Sequence, residues 1–251
     1  MVSETPRAMS FGAIADDYDR LRPLPPQEAV DWLVPAGCGV VVDLGAGTGL
    51  FTRVLGGYAR EIVAVEPDPR MREVLVERTS GVRIVAGTAE AIPLPDGCAD
   101  GVFVSTAWHW MDAERAVPEI ARILRPGGRF GVLWTSRDRS VGWVQQLDRV
   151  GYPGERHSPE DPARRRTPSE TSEATASLFD DVSEQSFLFS ARLSIDDVIA
   201  LLGTYSKAIT ASETERTAQF SAARDLLARV FPGADRVDLP MRARCWRAQR
   251  R

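Results

Sequence analysis

The chain is poor in the residues that would staple it or let it hold a metal. Its 251 residues include three cysteines, Cys38, Cys98 and Cys245, and two histidines. Three cysteines far apart, without metal-ligand spacing, exclude a disulfide framework and suggest no zinc site, so a reducing interior fits best. No run of eighteen apolar residues occurs, and the opening MVSETPRAMS lacks the apolar core of a signal peptide. A cytoplasmic protein without membrane contact is expected. An excess of basic charge is lacking as well: the formal net charge is -4, with no sustained basic run before the end of the chain. Nucleic acid is therefore offered no broad landing surface. The exception is Arg242, Arg244, Arg247, Arg250 and Arg251, which cross an expected strand and read as a solvated face or tail.

What is present is an ordinary globular composition, 43% hydrophobic and 26% charged, in a length that suits one α/β core plus a cap. The organising stretch is Val40 to Leu55, VVVDLGAGTGLFTRVL. Its apolar opening has no polar alternation, as in a strand buried on both faces of a parallel sheet. Gly45, Gly47 and Gly49 then leave a turn bare of side chains, so that a ligand can lie against the backbone. Thr48 is positioned to cap the next helix, whose apolar residues Leu50, Phe51, Val54 and Leu55 fall at helical spacing. An acid, Asp43, stands just before the first glycine. It would repel a pyrophosphate and attract a ligand carrying an amino group and a sulfonium.

Asp43-Leu44-Gly45-Ala46-Gly47-Thr48-Gly49 resembles motif I of the class I S-adenosylmethionine (SAM) dependent methyltransferases, D/E-x-G-x-G-x-G. Further matches follow in order. Glu61 to Glu66 reads as a second strand that delivers Glu66, with Pro67, Asp68 and Met71 beside it. An acid about twenty residues past the glycines can accept both ribose hydroxyls, and in the resembled family the ribose acid sits here. Met71 would lie on the adenine ring or pack in the core. Val82 to Ala86 reads as a third strand. After it the family often has an acid for the adenine amine, where this chain has Thr88; the contact would then come from Ala89 or Glu90. Asp100 to Thr106 reads as the fourth strand, ending at Ser105, the last expected cofactor contact.

The string F-x-x-x-A-x-x-Y-D-x-x-R-P from Phe11 to Pro23 resembles the leader of a subfamily that includes trans-aconitate methyltransferase-like enzymes. The resemblance implies a lid over the cofactor, contacted through Tyr18 and Arg22, with Phe11 toward substrate; a plain packing helix is the alternative. Trp108-His109-Trp110-Met111-Asp112 resembles the same subfamily's A-x-H-W-x-D element. His109, between two tryptophans, is a candidate desolvated proton acceptor or a residue that only holds the loop; the second is preferred. Trp108, Trp134 and Tyr205 complete the expected substrate side. Leu124 to Arg129 repeats a post-helix signature of the family, placing a fifth strand at Arg129 to Trp134.

Residues 151–173 read as a flexible loop or lid. Beyond them come a strand at Phe187 to Leu193, helices at Ile195 to Ile209 and Glu213 to Val230, and a last strand at Asp238 to Trp246. The fold expected is α/β: a doubly wound, mostly parallel, seven-stranded Rossmann-like sheet with an N-terminal helical lid and C-terminal cap helices. Its parts are residues 1–35, lid; 36–139, SAM-binding core; and 140–251, loop, cap helices and last strands. The resemblance implies methyl transfer from SAM, without a metal, to oxygen, nitrogen or carbon of a small molecule by proximity and desolvation, with base assistance optional. Specialised metabolism is the expected setting. The alternatives are a SAM-binding cyclase or regulatory module and, less favoured because of G-x-G-x-G with Asp43, a nicotinamide-dependent reductase. A monomer or homodimer is expected.

Overall fold

A computed structural model describes residues 15–151, 166–205 and 211–251, the side chains of residues 15–17 excepted. Phe11 lies outside the described residues, as does most of the expected 151–173 loop. In chain order the elements are α1 (Ala15–Leu21), α2 (Gln27–Leu33), β1 (Cys38–Leu44), α3 (Leu50–Leu55), β2 (Ala59–Val65), α4 (Pro69–Arg78), β3 (Arg83–Val85) and β4 (Ala99–Ser105). They continue as α5 (Ala113–Ile123), β5 (Leu124–Arg137), α6 (Gly142–Gly151), α7 (Pro168–Thr171), α8 (Ala174–Leu178), β6 (Phe179–Ser194), α9 (Ile195–Gly203), α10 (Glu213–Val230) and β7 (Arg236–Arg250). The strands form a seven-stranded sheet in the order β3-β2-β1-β4-β5-β7-β6. β1 pairs in parallel with β2 and β4, β2 with β3, and β4 with β5. Reversal of the strand order at β1 creates the crevice at the carboxyl ends where ligands of such sheets bind.

The described residues divide into two compact units. The first is 24–135, 166–187 and 243–251; the second is 15–23, 136–151, 188–205 and 211–242.

In the first unit the uninterrupted apolar run of β1 is explained by burial on both faces, with Val41 and Val42 wholly inaccessible. Helix α2 belongs to this unit. A Cβ added at Gly131 of β5 would stand 2.8 Å from Leu33 of α2, so the glycine lets helix and sheet close together. The aromatic centre is Phe130, with ring centroids 5.6 Å from Trp108, 5.5 Å from Phe179 and 5.1 Å from Trp246. Within the expected 151–173 loop the structure forms helix α7 (Pro168–Thr171), and α8 (Ala174–Leu178) follows just beyond it. The first is closed by a reciprocal cap in which the Thr167 hydroxyl and Glu170 carboxylate satisfy each other's backbone N–H groups. It serves the aromatic centre: the Trp246 indole N–H donates to Ser169 Oγ at 3.2 Å and that of Trp108 to Thr171 Oγ1 at 3.3 Å. Arg125 to Gly128, read as a stop before β5, instead lies within it, the register slipping between Ala99 and Gly101 to absorb the excess residues.

In the second unit α9 and α10 pack through Val198, Leu202, Ala223 and Leu227. Helix α10 has the bounds its periodicity predicts, opened by a capping box between Ser212 and Glu215. The expected helix from Ile195 ends at Gly203, with Thr204 as its cap. At the unit's charged heart lies Asp148 of α6, wholly buried. One carboxylate oxygen accepts from Arg137 at 2.6 and 2.7 Å, and the other from Arg139 at 2.5 Å.

Candidate active site

The site is built on the turn from β1 to α3, within the first unit. Gly45 N–H donates to the Val65 carbonyl at 2.8 Å and Ala46 N–H to the same oxygen at 3.1 Å, tying the turn to the end of β2. A Cβ at Gly45 would come within 2.9 Å of Ala107 and 3.2 Å of Met111, so the segment after β4 approaches this turn too closely for any larger residue. Gly47 is different: its φ is +57°, and nothing lies within 4 Å of where its Cβ would be. Bare backbone therefore faces open space at the middle glycine alone of the three. Thr48 does not cap α3. Gly49 is the N-cap, in the left-handed conformation and without a side-chain hydrogen bond. The Thr48 hydroxyl is instead buried with no partner among the described residues.

Asp43, the last residue but one of β1, is wholly buried. Its Oδ2 accepts from Thr52 Oγ1 at 2.5 Å, while Oδ1 has no partner among the described residues. Burial pushes its carboxyl up to about 7, the neighbouring Glu66 charge adding to the effect and the Thr52 hydrogen bond opposing it. Thr52 escaped the sequence reading. Its only signal was a hydroxyl half a turn inside the helix after the glycines, placed to reach back to the strand end.

Glu66 follows β2 directly and is 7% exposed. One oxygen accepts from Gly47 N–H and the other from Asp68 N–H, both at 2.8 Å, so the carboxylate clamps the glycine turn to the start of α4. Burial raises its pKa and those two N–H groups lower it. A carboxylate has about four acceptor positions, so two remain for hydroxyls of a ligand. Asp68 is the N-cap of α4, accepting from Arg70 N–H at 3.0 Å, and Met71 is buried in the first turn. Pro67 is exposed.

The other expected contacts divide. Thr88 is exposed, Ala89 sits in the core, and Glu90 accepts from Asp112 N–H at 2.8 Å, where it holds the start of α5. Ser105 is half-buried at the end of β4, and Thr106 beyond it has φ +56°, a sparsely populated conformation for a branched residue. Trp108 is 2% exposed, packed into the aromatic centre, and its N–H is taken by Thr171, so neither its ring nor its donor is offered to a substrate. His109 is exposed, its ring 4.6 Å from that of Trp110. The desolvation that the proton-acceptor reading of His109 required is not found: the short helical turn Trp108–Trp110 buries the first tryptophan and leaves the histidine exposed. Trp134 is 2% exposed.

Tyr18, Arg22 and Tyr205 belong to the second unit, which brings them together. The Arg22 guanidinium lies 4.7 Å from the Tyr18 ring and 3.9 Å from that of Tyr205, and it donates to the Thr204 hydroxyl and carbonyl at 3.1 and 2.9 Å. Among the described residues no cluster of histidine, cysteine and acids could hold a metal ion, and no helix is long and apolar enough to cross a membrane.

Comparison with known proteins agrees with this geometry. A family model described as a methyltransferase domain matches residues 42–132, from the end of β1 into β5. An uncharacterised methyltransferase of Mycobacterium tuberculosis is 40% identical over 222 residues, covering 88% of this chain and 86% of the relative. An uncharacterised methyltransferase-like protein of Schizosaccharomyces pombe is 31% identical over 241 residues, covering 91% and 90%. Among solved structures, a chain from Anaeromyxobacter dehalogenans carrying a type II methyltransferase designation superposes with a TM-score of 0.61 at 23% identity, covering 91% of this chain and 96% of that one. The acid, the open glycine cradle and the second acid after β2 thus sit within a chain that belongs to the class I SAM-dependent methyltransferases.

Proposed function

We propose that this methyltransferase binds SAM across Asp43, Gly47, Thr48 and Glu66 and transfers its methyl group to a small molecule seated at the carboxyl ends of β4 and β5. The observation that carries the reading is the pairing of a buried, half-satisfied carboxylate with open space over Gly47. Asp43 Oδ1, which lacks a partner among the described residues, is available to a cation bound at this turn, which would draw the carboxyl back to its ionised form. Thr48 Oγ1 offers a second uncommitted polar atom, and the remaining acceptor positions of Glu66 suit a pair of ribose hydroxyls. Pro67 and Met71 border the start of α4; Ser105 borders the acceptor side.

SAM supplies a methyl group already activated by its sulfonium, so the chain need contribute no covalent nucleophile. The residues hold and orient: Glu66 fixes the glycine turn, Thr52 fixes Asp43, and the Ala107–Met111 segment closes against Gly45. Exposed His109 is left out of the proton path, and alignment with water exclusion is the main source of rate. A small acceptor suits a chain of net charge -4 without a basic face for nucleic acid.

The test is calorimetry of SAM with Gly47→Val. The branched side chain would fill the cradle at a left-handed backbone position, so SAM binding should vanish while the circular-dichroism spectrum keeps its folded form. Unchanged affinity in a folded variant would move the cofactor elsewhere.

A further inference from the structure

Three indole groups are buried in the first unit: Trp108, Trp134 and Trp246, each no more than 2% exposed. A buried indole normally finds an acceptor for its N–H, because leaving that donor bare forfeits its hydration with nothing in return. Two of the three obey. Helix α7 gives the Ser169 hydroxyl to Trp246 and the Thr171 hydroxyl to Trp108, so one four-residue helix answers both donors. Trp134 Nε1 has no partner among the described residues and no solvent exposure. A donor left bare beside two that are satisfied takes either an internal water or an acceptor from outside the chain.

Its position says which one. Phe103 of β4 is opposite Asp43 of β1 and Gly131 of β5, and Ser105 is opposite Leu133. Trp134 is therefore one residue past the level at which β4 ends and the glycine turn begins. It stands two strands away from β1, about 10 Å at the usual spacing of neighbouring strands. That is the level of the carboxyl end of β4, on the side away from β2 and Glu66, and the ring belongs to the buried cluster that also holds Trp108 and Phe130. Thr106 is held there in its strained conformation by N–H donation to the Leu133 carbonyl at 2.7 Å, which fixes the backbone next to Trp134.

We infer that the Trp134 indole N–H binds a carbonyl-type oxygen of the methyl acceptor, making Trp134 a specificity-determining residue for acceptors that carry a carboxylate, ester, amide or ketone near the reacting atom. The inference rests on the acceptor site proposed above. A site built around a bare N–H rejects analogues that lack the matching oxygen, since they would leave the donor unpaired in the complex.

The test uses 15N-labelled protein saturated with S-adenosylhomocysteine. Calorimetry first establishes that this product binds; its failure would sink the cofactor site and not the role of Trp134. Trp134→Phe then identifies one indole cross-peak, and acetate and acetamide are titrated as carbonyl probes against methylamine and ethane-1-thiol. The Trp134 peak should move downfield saturably with both carbonyl probes and with neither of the others, the Trp108 and Trp246 peaks staying still. Movement with acetate alone would restrict the class to carboxylates; movement with acetamide as well extends it to neutral carbonyls. A Trp134 peak already at a hydrogen-bonded position and unmoved by every probe would overturn the inference and assign the donor to an internal water. Thermal melting supplies the second readout. Trp134→Phe should lower the midpoint by less than Trp108→Phe and Trp246→Phe, since all three lose buried ring volume but only the latter two also lose an indole hydrogen bond to α7. Equal losses in all three would contradict a bare Trp134. With an acceptor in hand, Trp134→Phe should cost about tenfold or more in kcat/KM for carbonyl-bearing compounds only.

Discussion

Asp43 and Asp148 are both wholly buried carboxyl groups, one in each compact unit, and they are treated in opposite ways. Asp148 has two guanidinium partners and both oxygens engaged. Asp43 has one hydroxyl, one bare oxygen, and a carboxyl pushed up to about 7. A buried ion pair with its hydrogen bonds made is structural: it costs desolvation and returns Coulomb energy within the fold. A buried acid left half-satisfied is destabilising when ionised, and the proposed cofactor site supplies the cation that would complete it. The same distinction separates Trp108 and Trp246 from Trp134.

The largest effect that tests the comparison is on Asp148. Asp148→Ala leaves Arg137 buried without that partner, and it should cost about 3–5 kcal/mol in urea unfolding. A loss below about 1 kcal/mol would show that Asp148 is no better integrated than Asp43.

Next comes the pH dependence of stability due to Asp43. Its folded pKa of about 7 exceeds the ordinary 3.8, so in between the folded state holds a proton that the unfolded state has released. The contribution is fully present below pH 3.8 and is lost at about 1.4 kcal/mol per pH unit as pH rises toward 7. Relative to Asp43→Asn, cofactor-free wild type should therefore lose stability from pH 4 to pH 7. Parallel stability curves for the two proteins would mean that Asp43 takes up no proton on folding.

Glu66→Ala should weaken SAM by about 1.5–3 kcal/mol, the range for hydrogen bonds to a charged acceptor. It also frees the Gly47 and Asp68 N–H groups, so Glu66→Gln, which retains one acceptor oxygen, should recover part of the loss. The smallest effect is predicted for His109. As an exposed residue, His109→Gln should change turnover by far less than the ~100-fold that removal of a general base produces. A large selective fall, with the acidic limb of the pH profile gone, would restore it as the base.

The sheet was legible from the sequence as far as β5 because parallel strands buried on both faces have no polar alternation to confuse them, and glycine turns punctuate each one. The placing of Asp43–Gly49 at the turn after β1 and of Glu66 just after β2 was legible for the same reason: their residue types are demanded by backbone geometry and by charge. β6 was read only from Phe187, although it begins at Phe179, because its first half, FDDVSEQ, lies largely exposed and alternates weakly. Helices α7 and α8 were hidden in a segment rich in polar residues, where the tertiary demand of two indole N–H groups, not periodicity, fixes the structure. The exposure of His109 was likewise beyond reach, since a three-residue turn decides which of three consecutive aromatic rings goes inward. The trans-aconitate resemblance rests in part on Phe11, outside the described residues.

The most direct measurement is the affinity of SAM between pH 5.5 and 8 by calorimetry, for wild type and Asp43→Asn. If Asp43 must ionise to receive the cation, affinity should rise about tenfold per pH unit toward 7 and then level, and the variant should bind weakly with no such slope. Wild-type affinity that is flat across pH 7, or a variant that binds as tightly as wild type, would contradict the role of Asp43 as the acid that SAM completes.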